Sequence, residues 1–295
     1  MERPLKDVSS LKPVVDMSKV FSVIRSPFRY PGGKSWLAPV IEQWLRSDGR
    51  DVTTFVEAFA GGASVGLTIA ASGLTKNVVL VESDPDVAAV WHCVFSSDAD
   101  LLATRLVTFK MCSSSVAELL NSSPCTTVDR AFRTIVRNRV SHGGKMTATS
   151  GLMSKGDGQG LLSRWYPVVL AARIRDASRL SSVVTFVEGD AFDELPKTAN
   201  NTGAVCFIDP PYASKSRLYA HSQIDHQRLF ELASRRAGRT VLCYDNTVEN
   251  LVLAAKHELD VQMVSTRAGA HKKATELLIS SDLSWVAPAT AAVIR

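Results

Sequence analysis

Hydrophobic residues in this chain fall into short runs that end at an acidic residue. The runs occupy residues 54–57, 78–82, 183–190, 205–209 and 240–246. Continuous apolar runs rich in Val and Ile are typical of strands buried on both faces of a sheet. Residues 35–45 place their apolar side chains on one side of a helix instead, namely Leu37, Val40, Ile41, Trp44 and Leu45. Strands alternating with helices predict an α/β fold.

The fourth run ends in Asp209-Pro210-Pro211-Tyr212. Proline has no N–H for the ladder and pushes the residue before it into an extended conformation, so the strand is expected to end at Asp209. The Asp209 carboxylate then lies at the carboxyl edge of the sheet, where open α/β sheets bind ligands.

These four residues suit the activation of a planar exocyclic amine. The Asp209 carboxylate and the Pro210 carbonyl can each accept one amine hydrogen, which localises the nitrogen lone pair in the transition state. Tyr212 can stack on the ring that carries the amine. The alternative is an ordinary strand exit with a solvated aspartate.

Two glycine-containing turns precede helices. The turn at residues 57–63 follows the first strand and indicates a Rossmann-type unit with a cofactor lying on the backbone, although the absence of GxGxxG disfavours a dinucleotide. The next strand ends at Glu82, whose carboxylate can accept hydrogen bonds from the two hydroxyls of a ribose. The other turn is Gly32-Gly33-Lys34. Its glycines would let the backbone approach a ligand closely and its lysine would add a fixed positive charge. The alternative is a plain turn with an exposed lysine.

Three further acids have two interpretations each. Asp84 and Asp86 are expected to cap a helix that follows the second strand rather than to bind a ligand. Asp190, after the run at residues 183–190, can hydrogen-bond an adenine amine or cap the next helix.

Residues 96–180 differ from the rest in composition. Amphipathic helical segments are followed by a stretch rich in Gly, Ser, Thr and basic residues, the side chains that contact phosphates and base edges. The alternative is a solvated helix face with a flexible loop. The candidate DNA contacts are Arg133, Arg137, Asn138, Arg139 and Lys145, together with Lys272 and Lys273 between two late strands.

Composition constrains the partners. Of 295 residues, 34 are Lys or Arg and 29 are Asp or Glu, for a net charge of +5 and a pI near 9.0, which fits a polyanion partner without requiring one. The scattered cysteines form no CxxC pair and the histidines do not cluster, so no metal is expected. Neither a secretory signal nor a membrane-length apolar run is present in the sequence, and we expect a soluble, cytoplasmic protein.

Taken together, the Gly-Gly-Lys element, the glycine turn, the polar insert and Asp-Pro-Pro-Tyr resemble the alpha class of adenine-specific DNA methyltransferases, the Dam-type family. The resemblance covers roughly residues 28–280. It implies a Rossmann-like, S-adenosylmethionine-dependent methyltransferase sheet with an inserted, mostly helical target-recognition domain. The catalytic parts are then residues 25–95 and 181–285, the insert is 96–180, and 1–24 form an N-terminal arm or an added edge strand.

The resemblance also implies roles for individual residues. The amine-activating group is Asp209, Pro210 and Tyr212. The cofactor contacts are Tyr30, Lys34, Glu57, Phe59, Gly61, Glu82, Asp190 and Asp209. Two departures from the family pattern are Ala58, where the family has proline, and Ala63, where it has the second glycine of the turn.

The implied activity is site-specific methylation of the 6-amino group of adenine in double-stranded DNA, with the base flipped out of the duplex. The alternatives are a cytosine 4-amino or RNA adenine methyltransferase, and a non-catalytic DNA-binding protein on the same scaffold. The expected partners are DNA, without metal or membrane, and a cognate restriction endonuclease in a restriction-modification pair. The expected state is a monomer or weak dimer.

Overall fold

The computed structural model describes residues 15–16, 25–30, 32–144, 150–153, 160–212, 224–268 and 272–286. In these ranges eight strands form one sheet in the order β1-β7-β8-β6-β5-β2-β3-β4. The strands are β1 Val15–Asp16, β2 Thr54–Glu57, β3 Val78–Glu82, β4 Val184–Glu188, β5 Ala204–Ile208, β6 Arg239–Asp245, β7 Asp260–Ala268 and β8 Lys272–Ser280.

Ten helices accompany the strands in the described ranges. They are α1 Ala38–Asp48, α2 Ser64–Ser72, α3 Pro85–Val94, α4 Ala99–Thr108, α5 Ser113–Asn121, α6 Thr127–Val140, α7 Pro167–Ser178, α8 Ala191–Glu194, α9 His226–Ser234 and α10 Val248–Lys256. The strands and helices predicted from the apolar runs are confirmed, with ends that differ by a few residues.

The pairing of the sheet is mostly parallel. Strands β4, β3, β2, β5 and β6 pair in parallel, while β8 is antiparallel to both β6 and β7. Helices between the parallel strands make this a Rossmann-like α/β sheet, as predicted. The antiparallel β8 inserts between β6 and β7, so this last strand of the described residues lies within the sheet and not at its edge.

Alternate residues of each central strand enter opposite cores. Phe55 and Phe207 pack with helices α1 to α3, while Val56 and Ile208 pack with α8 to α10. Side chains such as Phe55 and Ile208 are completely buried. Burial on both faces explains why these strands appear in the sequence as unbroken apolar runs.

The segment predicted as an insert is mostly helical in its described part. Helix α6 packs on α3, and α7 packs on α4. Leu102, Ile135 and Ile174 of these helices belong to the same hydrophobic cluster as Phe55 and Trp91. The segment therefore shares a core with the sheet, and its role as a target-recognition domain stays a prediction.

Within the N-terminal segment, Val15 and Asp16 pair in parallel with Val264 and Ser265 of β7. This places an added strand at the edge of the sheet, which was one of the two expectations for residues 1–24. No helix of the described residues is long and apolar enough to cross a membrane.

Candidate active site

A cavity of about 500 Å³ opens at the carboxyl edge of β2, β3 and β5. This volume is in the range of small-molecule sites. The residues predicted as cofactor contacts all line it: Tyr30, Lys34, Glu57, Phe59, Gly61, Glu82, Asp190 and Asp209. Residues from distant parts of the chain meet here because the carboxyl ends of parallel strands lie along one edge.

The turn after β2 forms one wall of the cavity and packs against the Tyr30 ring. Gly61 has φ +45°, and a Cβ atom there would lie 2.7 Å from Tyr30 Cε1. This close approach requires glycine. Ala63, the departure from the family pattern, has φ 49° and ψ 33° at the residue before α2. The backbone thus keeps a left-handed path at a position without glycine.

Two buried carboxyl groups hold this turn in place. Glu82 Oε2 accepts from Gly61 N at 2.8 Å, and its Oε1 accepts from Asp84 N at 2.8 Å. Glu57 Oε2 accepts from Gly66 N at 2.7 Å. Burial raises the pKa of Glu57 to about 8 and that of Glu82 to about 7, against the opposing effect of these backbone donors.

Lys34 joins the glycine turn before α1 to the end of β5. Its ammonium donates to the Gly32 carbonyl at 2.7 Å and lies 3.0 Å from Asp209 Oδ1. The lysine is held away from solvent, at only 4% exposed, whereas Asp209 is half-buried and lines the cavity. Burial raises the pKa of Asp209, and the Lys34 charge opposes this rise.

Tyr212 differs from its expected orientation. Its hydroxyl donates to Asp209 Oδ1 at 3.0 Å, and its ring stacks on Tyr244 with centroids 5.9 Å apart. Only 3% of Tyr212 is exposed. Asp209 and Pro211 line the cavity, whereas Pro210 and Tyr212 are buried behind that lining. Stacking of Tyr212 on a target base would therefore require the ring to move.

The sequence matches a known family along most of its length. The profile of the D12 class N6 adenine-specific DNA methyltransferases matches residues 30–275. The chain belongs to this family. Its activity class is therefore the transfer of a methyl group to N6 of adenine in DNA, and the family named from the sequence motifs is confirmed. No curated protein matches the chain.

Three solved structures similar to this methyltransferase have low identity. A precorrin-6y C5,15-methyltransferase from Geobacter metallireducens is 14% identical, with 83% of this chain and 87% of that chain covered and a TM-score of 0.37. A candidate methyltransferase, yhhF, from Escherichia coli is 12% identical, with 86% and 92% covered and a TM-score of 0.33. A candidate RNA methyltransferase from Pyrococcus horikoshii is 11% identical, with 92% of each chain covered and a TM-score of 0.40.

The methyltransferase site includes two charged or polar residues that sequence reasoning missed. Glu276 Oε2 lies 3.6 Å from Lys34 Nζ, and Cys243 Sγ lies 3.6 Å from the same carboxylate. Burial of Cys243 raises the pKa of its thiol well above the usual range. Glu276 directly precedes the apolar residues Leu277, Leu278 and Ile279 of β8, and an acid next to an apolar run was the signal that could have identified it.

The helix-capping interpretation of the neighbouring acids is confirmed for Asp84 and Asp190. Asp84 Oδ1 accepts from Asp86 N at 2.9 Å at the start of α3. Asp190 Oδ1 accepts from Phe192 N at 2.8 Å at the start of α8. Both also line the cavity. A cap leaves the second carboxylate oxygen free to face a ligand, so the two interpretations of Asp190 are compatible.

Among the predicted DNA contacts of the methyltransferase, Asn138 requires correction. It is fully buried; its amide donates to the carbonyls of Arg29 at 3.0 Å and Gly144 at 2.8 Å, and accepts from Arg29 N at 2.9 Å. Arg139 is also buried and donates to the Pro27 carbonyl. Both side chains fix residues 27–29, next to Tyr30, and do not form part of the surface.

The remaining predicted DNA contacts stay predictions. Arg133 is half-buried and donates to the Ser122 carbonyl at 2.8 Å, and Arg137 is half-buried on the same helix. Lys145 and the side chains of Lys272 and Lys273 lie outside the described residues.

The chemistry of the cavity fits a cationic cofactor. Five carboxyl groups face one ammonium, that of Lys34, along its lining: Glu57, Glu82, Asp84, Asp190 and Asp209. Lys34 balances the charge of Asp209 and burial favours the neutral form of Glu57, and the remaining acids suit a ligand that carries a sulfonium and an amine. Glu82 at the end of β3 suits ribose hydroxyls. No group of three or more His, Cys, Asp or Glu residues is placed to hold a metal in the described part of the chain.

Proposed function

We propose that this methyltransferase transfers the methyl group of S-adenosylmethionine to the 6-amino group of adenine in double-stranded DNA. The observation that carries the proposal is the position of Asp209. Its carboxylate lies in the wall of the same cavity as the glycine turn, beside the buried Lys34 ammonium. An adenine amine held at Asp209 would therefore share this cavity with a cofactor held along Gly61.

The residues have distinct proposed roles. Asp209 accepts one hydrogen of the adenine amine and the Pro210 carbonyl accepts the other, so that the nitrogen lone pair points into the cavity. Glu82 binds ribose hydroxyls, Glu57 and Asp190 complete the polar wall, and Tyr30 packs beside Gly61. When bound, S-adenosylmethionine supplies an electrophilic methyl group on a sulfonium.

Access of the amine to Asp209 requires the base to leave the helix. Unstacking and unpairing cost a few kcal/mol, which contacts in the pocket offset. We propose that Tyr212 supplies part of this compensation after it leaves Tyr244. Its hydroxyl donates to Asp209 Oδ1, so an amine that binds this oxygen would compete with the phenol.

We propose double-stranded DNA as the substrate form, a cytoplasmic location, a monomer or weak dimer, and pairing with a restriction endonuclease. The net charge of +5 supports a polyanionic substrate.

The decisive experiment compares the wild type with Asp209→Ala on duplex DNA and labelled S-adenosylmethionine. We expect the variant to lose methyl incorporation while it still binds the cofactor in calorimetry. Digestion of the product to nucleosides should yield N6-methyladenine. N4-methylcytosine, or incorporation only into RNA, would support the rival substrates. DNA binding without any incorporation by the wild type would support a non-catalytic protein.

A further inference from the structure

Five arginines converge on the segment of residues 25–29. Arg25 and Arg29 belong to the segment, Arg139 comes from α6, Arg164 from the 3-10 turn of residues 160–164, and Arg173 from α7. The segment leads directly into Tyr30, which lines the cofactor cavity. The cluster therefore lies at the rim of the proposed active site.

Two of these arginines donate hydrogen bonds to the backbone of the segment. Arg139 donates to the Pro27 carbonyl, and Arg173 Nη1 donates to the Ser26 carbonyl at 3.1 Å. The same segment is fixed from the other side by Asn138, which pairs with both backbone groups of Arg29. The guanidinium groups are thus brought together on a rigid stretch of chain.

No carboxylate of the described residues forms an ion pair with any of the five arginines. Elsewhere on the same chain Arg105, Arg175 and Arg235 each pair with an acid at 2.6 to 2.8 Å. In the cluster, Arg139 Nε and Arg164 Nη1 are instead buried without a hydrogen-bond partner in the described structure. A buried donor left unpaired is costly unless a ligand completes it.

The positive charges act on one another. Burial and the neighbouring Arg173 and Arg29 lower the pKa of Arg139 to about 10. Burial and Arg164 lower the pKa of Arg29, and burial and Arg25 lower that of Arg173. A concentration of cations that repel one another is relieved by a polyvalent anion.

We propose that this cluster binds the phosphate backbone of the substrate DNA beside the base that enters the cavity. Guanidinium groups match phosphate oxygens in bidentate geometry. Arg25, Arg29, Arg164 and Arg173 are exposed or half-buried and make the contacts, while the buried Arg139 adds charge beneath them. The inference rests on the proposed function, because it takes DNA as the substrate.

The position of the cluster supports DNA over a small phosphate ester. The five positive charges, which come from the segment and from three other elements, are more than one phosphate group needs. A DNA duplex presents a series of phosphates. Arg29 and Tyr30 are consecutive, so a phosphate at Arg29 is one residue from the cofactor wall. Contacts of this kind position the duplex without reading its sequence.

The test uses Arg25→Gln and Arg164→Gln in the full chain. Neither side chain makes a hydrogen bond to the described protein, so each substitution removes a charge without removing an internal hydrogen bond. The matched control is Lys76→Gln, because Lys76 is exposed before the start of β3, at the opposite edge of the sheet. Binding of a fluorescent DNA duplex is followed by anisotropy over a series of salt concentrations.

Each arginine variant should reduce the slope of log affinity against log salt by about 0.9, the value for one phosphate contact, and Lys76→Gln should leave it unchanged. If both arginine variants keep the wild-type slope, the inference is overturned. The same samples are assayed for methyl incorporation. If the wild type incorporates methyl groups but the arginine variants keep its salt slope, only the proposal for the arginine cluster is rejected. If the arginine variants have reduced slopes but the wild type incorporates no methyl groups, only the catalytic proposal is rejected. A wild type that does not bind the duplex overturns the cluster as well.

Discussion

The Lys34 ammonium and the Asp209 carboxylate form an ion pair of 3.0 Å at the cavity wall, in which the lysine is buried and the carboxylate is half-buried. Two buried opposite charges stabilise each other's ionised form, and removal of one partner leaves the other uncompensated. Burial raises the pKa of Asp209, so loss of the lysine favours the protonated carboxyl, which is a weaker acceptor for an amine hydrogen than the carboxylate.

The first prediction concerns Lys34→Gln. Loss of the ammonium removes the charge that lowers the pKa of Asp209, so that pKa rises further. The acid limb of the pH profile of kcat should therefore move to higher pH, and the rate at neutral pH should fall. A profile that keeps its acid limb would contradict the role of the ion pair.

Glu276→Gln should have the opposite effect. The Glu276 charge raises the pKa of Asp209, with Tyr212 and Cys243 as the other polar groups around it. Its removal leaves Lys34 paired with Asp209 alone, so the acid limb should move to lower pH. If the role of Glu276 is only structural, its substitution would change the melting temperature of the protein but would leave the acid limb in place. KM for the cofactor is measured in the same assays.

The raised pKa of Glu57 predicts that the free energy of unfolding depends on pH. Its pKa is about 8 in the folded state against an ordinary 4.5, so its contribution to folding is complete below pH 4.5 and is lost as the pH rises to about 8. Glu57→Gln removes this loss. We expect the variant to gain roughly 2–4 kcal/mol relative to the wild type between pH 5 and pH 8.5, measured by urea unfolding without cofactor. An equal difference at both pH values would show that Glu57 is already ionised.

Ala63→Gly should stabilise the protein. Ala63 has φ 49°, a left-handed conformation that costs a residue with a Cβ about 1–2 kcal/mol, against about 0.5–1 kcal/mol for the greater freedom of glycine when unfolded. The expected net gain in unfolding free energy is about 0.5–1 kcal/mol. The comparison is Ala60→Gly, in the same turn without positive φ, which should destabilise.

Asn138→Ala distinguishes a structural from a DNA-contacting asparagine. The substitution leaves the backbone groups of Arg29 and the Gly144 carbonyl unpaired in the interior. We expect a loss of about 2–4 kcal/mol of stability and weaker cofactor binding through the adjacent Tyr30. Arg137→Ala, on the same helix, should change stability by less than about 0.5 kcal/mol. Weaker DNA binding by Asn138→Ala at unchanged stability would restore the original prediction.

Local sequence patterns were sufficient to predict the strands and helices and many of the residues that line the cavity. Apolar runs that end in an acid identified β2, β3 and β5, and parallel pairing brings the ends of such strands to one edge whatever the details of packing. Glu57, Glu82 and Asp209 line the same cavity for this reason. Glycines beside an aromatic residue and a lysine identified the turn that packs on Tyr30.

The contacts that decide charge and orientation depend on the tertiary structure. Glu276 reaches Lys34 only because β8 inserts antiparallel beside β6, and no local pattern encodes that pairing. Asn138 lies among arginines in a segment whose sequence predicts an exposed surface. Residues 27–29, more than 100 positions earlier in the chain, pack against α6 and bury its side chain. The sequence by itself determined which groups end at the sheet edge, because strand period and proline act locally. Only the folded structure decided which of them are paired, since pairing and burial depend on segments far apart in the chain.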